Sequence, residues 1–211
     1  MKKLIIFNII ATPKYGLGHI YRSLTLANSL KKKYSIIFMC ESDSSKLCKL
    51  LIGKSYRMLI VNKINITKKI INIKPNLLIN DILNTKANFI KKIKKKKINI
   101  INFEDLGSGS KYADKVINEI FEEPLNSNHN TIWGHKYFIL RNEFLKANPI
   151  KFINKPKSLL ITFGGSDFNN FTSKILGGIA KTCLLYNIKI YIVSGPGYLH
   201  ISKLKNQIKK Y

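Results

Sequence analysis

The chain has 211 residues, 45% of them hydrophobic, enough to bury a core as one large or two small domains. No apolar run reaches the ~20 residues of a membrane span, and the opening MKKLIIFNIIATPKYG lacks a signal cleavage site, so it reads as a first strand and the protein as cytoplasmic. The formal charge of +26 points to polyanions, but lysine travels with an excess of isoleucine and asparagine, and A/T-rich coding explains much of it.

In chain order, Lys3 to Ile10 is a buried strand, and His19 to Lys33 is a helix with apolar residues at Ile20, Leu24, Ala27 and Leu30. Between them runs Gly16-Leu17-Gly18-His19-Ile20-Tyr21-Arg22, a glycine loop feeding a helix. Such a loop lets backbone approach a ligand closely, and the helix's free N–H groups favour anions. His19 and Arg22 share a helix face, and the positive helix end favours neutral imidazole, which suits a general base. They lie at the carboxyl end of the first strand, where open α/β sheets bind ligands.

Tyr34 to Cys40 is a second strand, Ser44 to Leu51 a helix capped by Ser42 or Asp43, and Tyr56 to Val61 a third strand. Ile66 to Ile73 is a helix stopped by Pro75, and Asn76 to Asp81 a fourth strand ending in a carboxylate. Thr85 to Lys96 is the next helix, then come strand Lys97 to Phe103 and the polar turn Glu104 to Ser110. The lysines from Lys91 to Lys97 crowd a helix end, where cations complement the dipole. Without an RNP, KH or zinc-finger signature, no specific nucleic-acid partner is expected. Lys115 to Asn118 is one more short strand, and Phe121 to Asn130 a loop; residues 131–145, an aromatic run followed by Arg141, receive no assignment.

Residues 148–156, between Pro149 and Pro156, read as a linker. The pattern then restarts with strand Lys157 to Phe163, the turn Gly164-Gly165-Ser166-Asp167, helix Asn169 to Tyr186, strand Ile188 to Val193 and helix His200 to Tyr211. Strand–helix alternation predicts a doubly wound parallel α/β sheet over residues 1–147 and a partial second Rossmann-like domain over residues 157–211. Cys40, Cys48 and Cys183 are odd in number without C-x-x-C spacing, so neither disulfides nor a zinc site is suggested.

Three stretches, GLGHIYRSLTLANSL, LRNEFL (Leu140 to Leu145) and ITFGGSD (Ile161 to Asp167), resemble the PseG/SpsG-like family of nucleotide-sugar hydrolases and spore coat polysaccharide proteins, related to MurG and the GT-B glycosyltransferases. VINEIFEE and INFEDLGSGS match more loosely. The resemblance implies a GT-B-like fold of two Rossmann-like halves, with the site between them. It also implies hydrolysis of a UDP-linked diacetamido-trideoxy sugar, with His19 activating water. A nucleoside diphosphate leaves without prior protonation, so one base suffices and no cofactor is called for. Gly16 and Gly18 would shape the loop, and Arg22 would contact phosphate or orient His19. Gly164, Gly165, Ser166 and Asp167 would close the site from the other half, although Asp167 also fits an N-cap. Asp81, Glu104, Asp105 and Arg141 complete the substrate-binding candidates.

This chain departs from the hydrolases at Asp81-Ile82-Leu83, where they tend to carry Asp-x-Tyr. The family's nucleotide-holding segment is expected beyond residue 211, which implies a truncated second half with little turnover of its own. A glycosyltransferase with the same base is one alternative; a nonenzymatic basic module for RNA or acidic polymer is another. A dinucleotide oxidoreductase fits less well, because G-x-G-H lacks the third glycine and only Glu41 follows at the second strand's end. Peripheral membrane contact and oligomeric state stay open.

Overall fold

A computed structural model describes residues 2–149 and 151–211. The chain divides into two compact units, residues 1–11 with 19–145 and residues 12–18 with 146–211.

The first unit is built on β1 (Leu4–Ile9), β2 (Ser35–Glu41), β3 (Arg57–Val61), β4 (Leu77–Asp81), β5 (Asn99–Phe103), β6 (Lys115–Asn118) and β7 (Thr131–Trp133). They form one parallel sheet in the order β3-β2-β1-β4-β5-β6-β7, reversing direction beside β1 and β4. That switch point opens a crevice at the carboxyl ends of the strands. Helices α1 (Gly18–Leu30), α2 (Ser45–Ile52), α3 (Ile66–Ile73) and α4 (Ala87–Lys94) connect the first five strands.

Alternation sorts the strand side chains onto two faces. Ile6, Met39, Leu78, Ile100 and Val116 pack under Ile66 and Ile70 of α3 and Ile90 and Ile93 of α4. The other face carries Phe7 stacked on Phe38, ring centroids 5.1 Å apart, with α1 burying Ile20 and Ala27. The links β5–β6 and β6–β7 contain no α-helix, yet on this face Ile79 and Phe103 are buried and Ile101 and Ile117 half-buried.

Most expected elements occur within a residue or two. Two readings are corrected. Neither Ser42 nor Asp43 caps α2: a 3-10 turn over Ser42–Ser44 precedes it, and its N-cap makes no side-chain bond. The Ser44 hydroxyl instead accepts the Ala11 N–H at 3.0 Å, tying the end of β1 to the end of β2. The unassigned stretch 131–145 holds β7 and a short helix α5 (Asn142–Leu145). β7 has only three residues, too few to show a period.

One polar line crosses the first face. Asn8 donates to Asn80 at 3.0 Å, Asn80 to Asn102 at 2.8 Å, and Asn102 to Asp105 at 2.6 Å, all fully buried. Asn8, Asn80 and Asn102 are register partners on three adjacent strands. Each amide satisfies its neighbour, so polar groups persist in a layer where unpaired ones would cost about 1–3 kcal/mol each.

The second unit has two parallel strands, β8 (Ser158–Thr162) and β9 (Lys189–Val193), with helices α6 (Phe171–Leu185) and α7 (Ile201–Ile208). Ile161, Leu176, Ala180, Tyr198 and Leu204 form its small core. The turns after the two strands pack backbone on backbone: Gly197 N–H donates to Gly165 at 2.9 Å, and a Cβ on Gly195 would come within 2.5 Å of Gly165. Leu160, Tyr191 and Val193 are about half exposed.

Two strands rarely hold a sheet by themselves. In native-state hydrogen exchange of the 211-residue chain, amides of β8 and β9 are expected to open well before those of β1 and β4. Equal protection of the two sheets would show that the second unit is as stable as the first.

Candidate functional site

The fold gathers five chemistry-bearing side chains at the carboxyl ends of β1, β4, β5 and β6. His19 and Arg22 come from the first turn of α1, Asp81 is the last residue of β4, and Glu104 and Glu119 directly follow β5 and β6. Asp81 is fully buried and Glu119 and Glu104 nearly so, at 0%, 2% and 6% exposure.

Arg22 is the hub. Its Nε donates to Asp81 Oδ2 at 2.9 Å and its Nη2 to Asp81 Oδ1 at 2.6 Å, a bidentate fork. Its Nη1 reaches Glu104 at 3.3 Å and also bonds Glu119. Its flat face lies over the Phe103 ring, 5.0 Å from the centroid. Every guanidinium nitrogen is therefore directed at carboxylates, and Nη2 shares Asp81 Oδ1 with His19.

His19 Nδ1 lies 2.6 Å from Asp81 Oδ1. A carboxylate can only accept there, so Nδ1 carries the proton, and Nε2 is left as the nitrogen able to take one. Arg22 Nη2, 3.5 Å from the same ring nitrogen, converges on the same oxygen. Ser23 donates to Asp81 Oδ2 at 3.3 Å.

Burial alone would raise the Asp81 pKa, but the bonds from His19 and Arg22 and their attraction outweigh it, holding the carboxyl below the usual range. For Arg22, burial opposes the charge, yet Asp81 and Glu119 win and drive its pKa upward. Glu104 goes the other way: burial raises its pKa against backbone N–H donors and Arg22. Its Oε1 accepts from the Glu119 and Ile120 N–H groups, at 2.9 and 3.3 Å, while Oε2 is buried without a partner. Glu104 holds a left-handed backbone, φ +50°, a strain of order 1–2 kcal/mol that positions the carboxyl under those N–H groups.

The remaining candidates fall elsewhere. Asp105 is occupied by Thr85, Asn102 and the Gly107 N–H, binding one loop to the next. Arg141 stacks between Tyr21 and Phe144, 5.0 and 4.7 Å from their centroids. In the second unit, the N-cap of α6 is Asn170 rather than Asp167; Asp167 still accepts the first free N–H groups of that helix, from Phe171 and Thr172, at 2.8 Å each. Gly164 and Gly16 take the left-handed φ values +72° and +78° that glycine adopts without strain. Gly165 packs under Leu17, Ser166 is buried, and Gly18 starts α1 with open space beside it.

Glu119 escaped the sequence reading, although the rule that put Asp81 and Glu104 forward, an acid at a strand's carboxyl end, applies to it directly. Among the described residues, no group of three or more His, Cys, Asp or Glu side chains forms a metal cage. No helix there is long and apolar enough to cross a membrane.

No protein-family model matches the chain. It is 36% identical over 211 residues to the uncharacterized protein MJ1062 of Methanocaldococcus jannaschii, covering 93% of this chain and 43% of that protein. It is 27% identical over 207 residues to the spore coat polysaccharide biosynthesis protein SpsG of Bacillus subtilis, covering 92% of this chain and 60% of that one. The chain thus spans less than two thirds of either relative. Among solved structures, MurG of Acinetobacter baumannii shares the fold, with a TM-score of 0.52 at 12% identity over 95% of this chain and 68% of MurG. The fold is that of the GT-B glycosyltransferases. Within that class, the chain is similar in sequence to SpsG and in fold to MurG.

Replacing Arg22 by Ala strands three buried carboxylates, and urea unfolding at pH 7 should show a loss of roughly 3–5 kcal/mol. The linkage signs differ for the two shifted acids. Asp81 contributes stability above the ordinary carboxylate range and loses it as pH falls through its lowered pKa. Glu104 contributes below that range and loses it as pH rises through its raised pKa. Glu104→Gln should therefore flatten the decline on the alkaline side and stay within about 1 kcal/mol of wild type at pH 7.

Proposed function

We propose that the protein performs nucleotide-sugar chemistry in polysaccharide biosynthesis, with His19 as the general base. The observation carrying this reading is the Asp81–His19 pair, 2.6 Å apart at the sheet's switch point, which leaves Nε2 as the ring's proton-accepting atom. The relation to SpsG supplies the pathway class. The hydrolytic form follows from the motifs. Water attacks the anomeric carbon of a UDP-linked diacetamido-trideoxy sugar as His19 Nε2 takes its proton. The bond from that carbon to the diphosphate oxygen breaks, and UDP leaves with the electron pair.

The cluster's charge fits this chemistry. One guanidinium faces three carboxyl groups, and burial raises the Glu104 pKa. The remaining negative charge favours the positive charge that builds on a sugar ring as its leaving group departs. Asp81 is then a positioning residue for His19. Transfer to an acceptor hydroxyl would use the same base, and GT-B relatives favour that second reading.

With a UDP-2,4-diacetamido-2,4,6-trideoxyhexose in ¹⁸O-water, hydrolysis predicts label in the released sugar, whereas transfer predicts an unlabelled glycoside. His19→Ala should lower the rate by roughly 10²–10⁴ while substrate binding by calorimetry persists. Asp81→Asn should act through His19, shifting the ring's ¹⁵N spectrum away from the Nδ1–H tautomer as the rate falls. Turnover unchanged in both variants would assign the pair to structure.

A further inference from the structure

Glu119 is the member of the cluster that the proposed reaction leaves without a task. Its two oxygens have different partners: Oε1 accepts from Arg22 Nη1, and Oε2 accepts the Ile139 N–H at 2.8 Å. Ile139 belongs to residues 134–145, the stretch that follows β7. The same stretch sets Arg141 over Tyr21, the neighbour of Arg22 in α1, 5.0 Å from the ring centroid.

We propose that Glu119 is a positioning residue for His19, acting through Arg22 and Asp81. The proposal rests on the reading of His19 as general base and names what holds that base's own support in place.

The fork from Nε and Nη2 fixes Arg22 to Asp81 along one edge of the guanidinium, and by itself leaves the plane free to swing about that edge. A third contact, from Nη1, stops the swing. Glu104 offers Nη1 a contact of 3.3 Å, at the long limit for an N–H···O bond, and its Oε1 already accepts the Glu119 and Ile120 N–H groups. Glu119 makes the closer contact. It is also firmly held, because its other oxygen is bonded to the backbone at Ile139, its own N–H donates to Glu104 at 2.9 Å, and its side chain is only 2% exposed.

Any movement of Arg22 reaches the imidazole directly. Arg22 Nη2 and His19 Nδ1 both end on Asp81 Oδ1, each at 2.6 Å, and lie 3.5 Å from one another. Two donors on one oxygen compete. An Arg22 released from Glu119 turns its charge more fully onto Asp81 and crowds the ring away from Oδ1, and a ring without that acceptor has no reason to keep its proton on Nδ1. A carboxylate at position 119 draws the guanidinium the other way, so the oxygen stays shared.

The test is long-range ¹H–¹⁵N NMR of the histidine rings in the full chain without substrate, at a pH where the imidazole is neutral. His19→Ala assigns the resonance among the four histidines. Glu119→Gln keeps the shape and removes the charge, and it is expected to bring up the Nε2–H tautomer of His19. Ile139→Pro removes the N–H that Oε2 accepts, after a Phe138 whose ψ of 126° suits a following proline, and the same change is expected at smaller size. Ile70→Val, a loss confined to the core under α3, measures destabilisation alone and should leave the His19 signals unchanged. In the proposed reaction, Glu119→Gln should lower kcat about tenfold to a hundredfold with little change in KM. A wild-type His19 spectrum in folded Glu119→Gln would overturn the proposal and leave Glu119 as a latch for the stretch after β7. Where that variant does not fold, a wild-type spectrum in Ile139→Pro overturns it. Turnover that survives His19→Ala would instead sink the general-base reading, while the spectrum, read without turnover, still decides whether Glu119 holds the ring.

Discussion

The site rests on one buried cation. Arg22 is the charge against which Asp81, Glu104 and Glu119 can be held out of water together, and each arrives on a different strand. Three carboxylates against one guanidinium leave two negative charges, which a low-dielectric interior opposes. The structure relieves this unevenly. Asp81 receives the bidentate fork, the histidine and the serine, so it stays ionised. Glu104 receives the longest ion contact and, among the described residues, leaves one oxygen without a partner, so burial raises its pKa. Placement thus shifts two carboxyl groups in opposite directions.

That arrangement changes what the histidine can be. The start of a helix predicts a neutral imidazole, which suits a general base. Asp81 further fixes one ring nitrogen as a donor and ties the ring's orientation to the same oxygen that anchors Arg22. The cluster consequently sets more carboxyl groups than cations at the sheet's carboxyl edge. In the proposed reaction, phosphate contacts would then come from backbone N–H groups or other cations.

The fold was legible because its strands are short apolar runs separated by helices of clear period, and because Pro75, Pro149 and Pro156 punctuate them. His19, Arg22, Asp81 and Glu104 were legible one by one, as polar groups at strand ends. Their joining was not, since residues 59 to 97 positions apart meet only when the sheet order is known. Glu119 sat in plain view after β6 but was passed over beside Glu122 and Glu123, which fall in the stretch Phe121 to Asn130 read as a loop. The asparagine line is a similar case. Asn8, Asn80 and Asn102 look like interruptions in apolar strands until register makes them partners. Asp105 illustrates the opposite error: its strand-end position suggested a ligand contact, and four local donors already claim it.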